Sequence, residues 1–246
     1  MTRFVTVHGF RRGVGKSTLA VNLAAALAGD GHRVLLVETA RGAADASGSL
    51  GVGGRAGFAD VVAGTADARD VGHDATARLR STGAGRLVAV TGGIGDRPDG
   101  DDLGEATSAA FRALSAAHPS DLVVLDTAAG LTEETLTLFT VTDDLLLLVR
   151  PDRQDHHGSA VTADVARRIG VPRPHLVLTQ LLGDHLAPEV RRELEEVFAI
   201  PVVAELPFAA ALNEHHGDVP FVVTDPDHVW ALAVRLLAAR LAGAGP

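Results

Sequence analysis

The chain has 246 residues, of which 46% are hydrophobic and none is cysteine, and its formal net charge is −9. This length accommodates one large α/β domain or two small ones, and the lack of cysteine excludes disulfides and any cysteine-based metal or nucleophile site. The acidic balance disfavours a general affinity for nucleic acid or anionic lipid. No signal peptide is visible and no apolar run reaches the length of a membrane span, so we expect a cytoplasmic protein.

Short apolar runs alternate with helical patterns along the chain. Most of the runs are nearly continuous Val and Leu, which is typical of strands buried on both faces of a parallel sheet. Strands are predicted at residues 4–8, 33–38, 87–91, 121–126, 145–149, 175–180 and 202–205, and helices at residues 17–28, 57–63, 106–117, 133–139, 159–169, 188–197 and 227–241. The alternation predicts an α/β fold with a doubly wound, mostly parallel sheet of about seven to eight strands flanked by helices, in a single domain over residues 1–246.

A glycine-rich loop joins the first predicted strand to the first predicted helix. Residues 9–18 read GFRRGVGKST. Glycine lets the backbone approach a phosphate closely, and the N–H groups of Gly13, Val14 and Gly15 then point at the anion together with the helix N-terminus. The order strand, loop, helix predicts a site for a nucleoside triphosphate, above all Mg-ATP. The alternative is an ordinary tight turn between a strand and a helix.

Three side chains after the glycines complete this predicted site. Lys16 would reach the β and γ phosphates, Ser17 would give its hydroxyl oxygen to Mg²⁺, and Thr18 would bond the α-phosphate. Lys16 is the only lysine, and the remaining 21 of the 22 basic residues are arginines. A lone lysine in this background indicates a pocket that accepts a compact ammonium and excludes a planar guanidinium. The standard pattern has glycine where this chain has Phe10, and we expect Gly9 to supply the missing flexibility.

A second predicted strand end carries an acidic side chain. The run at residues 121–126 is apolar up to Asp126 and is followed by Thr-Ala-Ala and Gly130. A carboxylate at this place can hold Mg²⁺ through water, and the N–H of Gly130 can sense the γ-phosphate. The alternative is that Asp126 only caps the next helix.

These segments resemble the MinD/ParA family of ATPases, which carry a deviant form of the phosphate-binding loop. The resemblance rests on the loop, the strand that ends in Glu38, and the stretches GFADVVAG, LVVLDTAAG, LLLLVRPD and IPVVAELP, which follow in the family's order over nearly the whole chain. It implies that the protein binds ATP and Mg²⁺ and forms a face-to-face homodimer around two nucleotides. It also implies that a protein partner stimulates hydrolysis, and neither that partner nor the cargo can be read from the sequence.

The resemblance assigns further roles and shows two departures. Arg11 stands where the family has a signature lysine that reaches the phosphates of the other subunit, and it would act as an arginine finger; the alternative is a solvated side chain. Arg12 stands where the family has glycine, and its charge and bulk oppose the close dimer. Glu38 keeps the first of two family carboxylates, but Ala40 replaces the second, which orients the attacking water. We therefore expect slow or absent hydrolysis. Asp45 follows, with nothing to show that it substitutes.

Weaker signals concern the base and the surface. The resemblance places Thr179 and Pro207 beside the adenine or ribose. The pairs His156-His157 and His215-His216 are predicted to be exposed loop residues and not metal ligands. The C-terminal apolar helix carries only two arginines, so we expect it to pack on the sheet, and neither membrane nor DNA binding is favoured.

Three functions fit these observations. The first is a nucleotide-dependent switch in intracellular positioning or assembly. The second is a module that holds ATP without hydrolysing it and serves as an interaction surface, which Arg12 and Ala40 favour. The third is a metabolic ligase or kinase of related fold, which needs a second substrate pocket that the sequence does not reveal.

Overall fold

A computed structural model describes residues 2–39, 48–53, 56–80, 83, 85–93, 103–183, 186–215 and 218–243. The strands are β1 (Arg3–His8), β2 (Arg33–Glu38), β3 (His73–Asp74), β4 (Arg86–Val90), β5 (Leu122–Asp126), β6 (Asp144–Val149), β7 (Arg173–Leu181) and β8 (Val202–Pro207). The helices are α1 (Lys16–Gly29), α2 (Phe58–Val62), α3 (Leu103–Ala117), α4 (Glu133–Val141), α5 (Arg153–Ile169), α6 (Pro188–Phe198), α7 (Ala210–Glu214), α8 (Phe221–Thr224) and α9 (Val229–Gly243). A short 3₁₀ helix covers Thr76–Leu79.

The strands form one eight-stranded sheet in the order β3-β4-β2-β5-β1-β6-β7-β8. Every neighbouring pair is parallel except β3 with β4. The strands β2 to β5 lie on one side of β1, and the strands β6 to β8 lie on the other. The place where the chain changes sides is the switch point at which open α/β sheets bind their ligands. The fold class predicted from the sequence is confirmed. The antiparallel edge strand β3 was not predicted, because two residues carry no readable periodicity.

Helices cover both faces of the sheet. On one face α1, α8 and α9 pack over the central strands, with Leu19, Leu23, Trp230 and Val234 in that core. On the other face α2 and α3 pack over β2, β4 and β5, and α5 and α6 pack over β6 to β8. Strands covered on both faces must be apolar on both sides, which explains the continuous Val and Leu runs. Among the helices that the structure describes, none is long and apolar enough to cross a membrane.

The C-terminal helix α9 packs on the sheet, as expected. Its residues Trp230, Ala231, Val234, Leu237, Ala238 and Leu241 are buried. Arg235 and Arg240 point their guanidinium groups back to the protein, where they donate to the carbonyls of Val222 and Val203. Both arginines are exposed, and each is held to the protein surface by its hydrogen bond.

The prediction that the histidine pairs lie in exposed loops is wrong for three of the four histidines. His156 and His157 lie in α5, and His156 is half-buried, with its ring against Phe198. His215 directly follows α7, contacts Phe221 and bonds the carbonyl of Val219 at 2.7 Å. The helix was predicted to begin at residue 159, but α5 begins at Arg153. The first turns of α5 are polar, so the hydrophobic pattern does not reveal them. No group of three or more histidine, cysteine, aspartate or glutamate side chains that could hold a metal ion occurs in the described ranges, and His216 lies outside them.

A buried carboxylate on β6 accepts hydrogen bonds from β1 and β7. It lies at the amino ends of these strands, whereas the phosphate loop lies at the carboxyl end of β1. Asp144, the first residue of β6, is fully buried. Its oxygens accept hydrogen bonds from Arg3 Nε at 2.6 Å, Arg173 Nε at 3.0 Å and His175 Nε2 at 3.1 Å. Burial by itself would raise the pKa of Asp144, but the hydrogen bonds from His175, Arg3 and Arg173 outweigh burial and hold that pKa well below its usual range.

Asp144→Asn is expected to lower the free energy of unfolding at pH 7 by about 3 kcal/mol, because it leaves buried arginine charge without its anion. A lowered carboxyl pKa stabilises the fold above the unfolded-state pKa of about 4, and this stabilisation is lost as the pH falls. Urea titrations at pH 7 and pH 3.5 should therefore show a smaller gap between variant and wild type at the lower pH. Asp121→Asn, which breaks the exposed pair with Arg33, is the control and should cost under about 1 kcal/mol. An equal loss in both variants would contradict the account.

Candidate nucleotide-binding site

The glycine-rich loop leaves the sheet at its switch point. β1 ends at His8, the loop follows, and α1 begins at Lys16. Gly13 and Gly15 have φ angles of 75° and 91°, a left-handed conformation that other residues adopt only with strain. Gly15 is the N-cap of α1 and has no side chain to satisfy the free N–H groups there. The first turn of the helix therefore presents its N–H groups to an outside acceptor.

Two side chains from the end of β7 hold the loop carbonyls. Thr179 Oγ1 donates to the carbonyl of Val14 at 3.2 Å, and Gln180 Nε2 donates to the carbonyl of Gly13 at 2.6 Å. The loop carbonyls are thus turned toward β7 and bonded there. Gln180 has a φ of 57° and was not singled out from the sequence. A glutamine inside a strand pattern gives no signal of a loop contact.

The beginning of the loop is packed rather than flexible. A side chain at Gly9 would collide with Val14 and with the carbonyl of Leu148, and Gly9 has no positive φ. The expectation that Gly9 supplies flexibility is therefore wrong, and close packing against β6 accounts for its lack of a side chain. The ring of Phe10 lies directly on Gly158 of α5, where a Cβ would overlap it. A glycine in that helix makes room for the phenylalanine.

Charged groups surround the middle of the loop. Lys16 Nζ donates to the carbonyl of Arg11 at 3.3 Å, so its ammonium lies across the loop. Arg11 Nη1 is 3.6 Å from Asp152 Oδ1 in the same chain, and Asp152 also pairs with Arg150 at 2.7 Å. Arg12 is exposed. The structure therefore pairs Arg11 with an acidic residue and leaves Arg12 on the surface.

Two acidic residues stand side by side at the carboxyl edge next to the loop. Glu38 ends β2 and Asp126 ends β5, and the two are partners in the strand register. Both are buried. Asp126 is also in register with Val7 of β1, so its strand end is adjacent to the start of the loop. Carboxylate and hydroxyl oxygens suit Mg²⁺, which takes one or two protein ligands and keeps several waters. Asp126 and Ser17 therefore fit a magnesium site.

A third acidic residue near this edge was missed by the sequence analysis. Glu134 lies in the first turn of α4 and interacts with Thr39, the residue after Glu38. Burial raises the pKa of Glu134, and the interaction with Thr39 only partly offsets this. Thr39 Oγ1 in turn donates to the carbonyl of Asp126 at 3.1 Å. Ala40 and Asp45 lie outside the described residues.

The loop after β5 faces the phosphate loop. Gly130 has a φ of 84°, and a Cβ there would lie 4.0 Å from the carbonyl oxygen of Phe10. The carbonyl of Gly130 accepts from Thr135 Oγ1 at 3.2 Å, and the hydroxyl of Thr132 caps α4. Gly130 is therefore held close to the backbone of the phosphate loop.

A groove of about 270 Å³ extends from the phosphate loop. Thr179 and Pro207, predicted at the base, line it together with the loop, and so do residues that the sequence gave no reason to single out: Gln180, Leu206, Phe208, Ala209, Leu212 and Trp230. Most of the apolar members come from one segment that runs from the end of β8 to α7, and Trp230 comes from α9. The groove joins a polar end that suits phosphates to an apolar end that suits a planar base.

Comparisons with known proteins agree with this geometry. Residues 5–218 match the family described as the CobQ/CobB/MinD/ParA nucleotide binding domain. The chain is 24% identical over 247 residues to an uncharacterised ATP-binding protein of Methanocaldococcus jannaschii, which covers 98% of this chain and 88% of that protein.

Solved structures share the fold. A chain of the MinC:MinD cell division protein complex of Aquifex aeolicus superposes with a TM-score of 0.81 at 19% identity, over 99% of this chain and 97% of that one. The septum site-determining protein MinD of Pyrococcus horikoshii OT3, complexed with Mg-ADP, superposes with a TM-score of 0.75 at 23% identity, over 99% and 98% of the two chains.

Trp230 offers a direct signal for binding, because it is the only tryptophan, the chain has no tyrosine, and it lines the groove. Mg-ATP is expected to change its fluorescence. Lys16→Ala should weaken binding at least tenfold, since a hydrogen bond to a charged group contributes about 1.5–3 kcal/mol. Lys16→Arg should weaken it comparably, because the guanidinium does not fit the loop. Arg192→Ala, an exposed change outside the groove, is the control. Wild-type affinity in Lys16→Arg would contradict the steric argument.

Proposed function

Because the chain belongs to the CobQ/CobB/MinD/ParA nucleotide-binding domain family, we propose that it binds Mg-ATP at this groove and acts as a nucleotide-dependent switch in intracellular positioning or assembly. One observation carries the proposal. The loop at residues 9–15 has its carbonyls bonded to Thr179 and Gln180, while the N-terminus of α1 and the only lysine remain turned to the groove. This arrangement is complementary to a polyphosphate.

Individual residues have separate roles in this proposal. The N–H groups of Gly13, Val14 and Gly15 bind phosphate oxygens, and Lys16 leaves the Arg11 carbonyl to bind the β and γ phosphates. Thr18 bonds the α-phosphate. Thr179 and Pro207 border the base. Gly130 meets the γ-phosphate from the loop after β5.

Ser17 and Asp126 would hold magnesium at the acidic edge. Ser17 would give its hydroxyl oxygen to the ion, and the carboxylate of Asp126 would hold it, as we expect, through water. When bound, the ion neutralises phosphate charge and orients the terminal phosphate for attack. Glu38 lies beside Asp126 and adds negative potential at this edge. A nucleotide that carries no magnesium would meet two buried carboxylates here, so we expect Mg-ATP to bind and free ATP to bind poorly.

Dimerisation is the step that the loop makes difficult. Arg11 is paired with Asp152 of its own chain and would have to leave it to reach a second subunit. Arg12 is exposed where two copies would meet. Two arginines 4 Å apart repel by about 1 kcal/mol in water and by more where water is excluded. The charge of bound ATP offsets this repulsion, so the dimer should depend strictly on ATP.

The hydrolysis of ATP is the second step that the sequence makes difficult, because residue 40 is alanine and cannot orient the attacking water. A site that binds ATP tightly and hydrolyses it slowly stays in the ATP state until a partner intervenes. The alternative, a module that never hydrolyses ATP, shares every feature of binding with this proposal and differs only in turnover. A metabolic ligase or kinase would need a second polar pocket beside the γ-phosphate.

Light scattering after size-exclusion chromatography tests the switch. We expect a monomer without nucleotide and with ADP, and a dimer with Mg-ATP. Arg12→Ala should strengthen dimerisation without nucleotide about fivefold, because about 1 kcal/mol of repulsion that no ATP charge offsets is removed. Arg168→Ala, an exposed change near the far end of α5, is the matched control and should leave the dimer unchanged. A monomer in every state, for wild type and Arg12→Ala alike, would favour the interaction module.

A steady-state ATPase assay tests the role of residue 40. Wild type is expected to turn over slowly or not at all, and Ala40→Asp should raise kcat at least tenfold, since a positioned general base contributes about 10²–10⁴-fold. Ala40→Asn has nearly the same shape but is a far weaker base, and it should stay near the wild-type rate. Rapid turnover by the wild type would overturn this part of the proposal.

A further inference from the structure

His8 is a buried titratable residue that the proposed site does not yet use. It is the last residue of β1, directly before the phosphate loop, and is fully buried. Its Nδ1 lies 2.7 Å from Oγ1 of Thr127, the residue that follows Asp126. This bond therefore joins the base of the phosphate loop to the beginning of the loop at residues 127–131.

The neighbouring bonds fix which atom donates. Thr127 Oγ1 donates its proton to the carbonyl of Val7 at 3.0 Å, so its oxygen accepts from the Nδ1–H of His8. The N–H of Thr127 lies 3.3 Å from the same carbonyl. Burial, and then the charge of Lys16, lower the pKa of His8 to about 3. The ring is therefore neutral near pH 7 and carries its single proton on Nδ1.

The other edge of the ring has an apolar environment. Nε2 has no hydrogen-bond partner within the described part of the chain. The ring meets Phe139 of α4 edge to face, with centroids 5.4 Å apart. An apolar ring would pack equally well against Phe139 and would avoid the cost of burying a bare nitrogen, about 1–3 kcal/mol. The bond to Thr127 is thus the feature that a histidine adds at this position.

A second hydroxyl bond already connects β1 to α4. Thr6 Oγ1 and Thr142 Oγ1 are 2.6 Å apart, and both side chains are buried. That pair lies two residues before His8 on the same strand and at the far end of α4 from the phosphate loop. The docking of the helix therefore does not require the histidine, whereas at Thr127 the histidine adds a third and shorter bond to the two that this residue donates to the Val7 carbonyl.

We propose that His8 is a positioning residue that sets the distance between the phosphate loop and the loop at residues 127–131. Thr127 is held at one end of this loop, and Gly130 lies near the Phe10 carbonyl at the other. The bond between His8 and Thr127 thereby places the N–H of Gly130 where a γ-phosphate arrives, and the preference of the site for ATP over ADP depends on it. This inference rests on the proposed nucleotide site.

The test compares the affinities for Mg-ATP and Mg-ADP, read from Trp230 fluorescence. His8→Phe keeps a ring against Phe139 and removes the bond, and Thr127→Val removes the same bond together with the hydroxyl bond to the Val7 carbonyl. Each variant should bind ATP about tenfold more weakly and ADP within about twofold of wild type. The double variant should be no weaker than Thr127→Val alone, because that variant already removes the bond that His8→Phe removes. Thr127→Ser keeps the hydroxyl and should restore the wild-type ratio.

The matched control is the pair Thr6→Val and Thr142→Val. It removes a buried bond of the same kind on the same strand and should lower the unfolding temperature without changing the ratio of the two affinities. An unchanged ratio in both His8→Phe and Thr127→Val, additive effects in the double variant, or an equal change in the control pair would overturn the inference. Failure of wild type to bind either nucleotide would overturn the proposed function itself, and the role of His8 with it.

Discussion

A row of backbone N–H groups at the end of β1 has to remain available to an anion, and the surrounding structure is built around that requirement. A buried turn normally pairs both its N–H and its C=O groups within the protein. Here the carbonyls of Gly13, Val14 and Arg11 are taken by the side chains of Gln180, Thr179 and Lys16. The N–H groups at the start of α1 have no side-chain cap. The loop therefore has its carbonyls bonded and its N–H groups available before any ligand binds. This reduces the reorganisation that binding would require.

Further contacts hold the same turn to the strands and helices beside it. His8 and Thr127 join it to the acidic strand end, and Phe10 rests on Gly158 of α5. Asp152 receives Arg11. Together with the bonds from Thr179 and Gln180, these contacts join the loop to elements on both sides of β1. A change of ligand at the loop would therefore act on β5, β7 and α5 together. Such coupling is what a nucleotide-dependent switch requires.

The sequence predicted the fold class, every strand except β3, and the positions of the phosphate loop and of Asp126. These features are local: a Val-rich run, a glycine pattern and a strand-ending carboxylate each lie within a few residues. The groove wall made by Phe208, Leu212 and Trp230 could not be predicted, because Trp230 of α9 meets the segment after β8 only through tertiary packing. Gln180 and His8 were missed for a related reason. Their roles depend on hydrogen bonds across 167 and 119 residues of chain. The family resemblance is confirmed, while the roles of individual site residues and the single-domain assignment stay predictions.

A crystal structure with Mg²⁺ and a non-hydrolysable ATP analogue tests the central claim most directly. The account predicts the triphosphate on the N–H groups of Gly13 to Thr18, with Lys16 moved from the Arg11 carbonyl to the phosphates. It predicts the ion bound by Ser17 and approached through water by Asp126, and the base in the groove between Thr179 and Pro207. A nucleotide bound elsewhere, or a loop whose N–H groups stay unused at saturating analogue, would contradict the account.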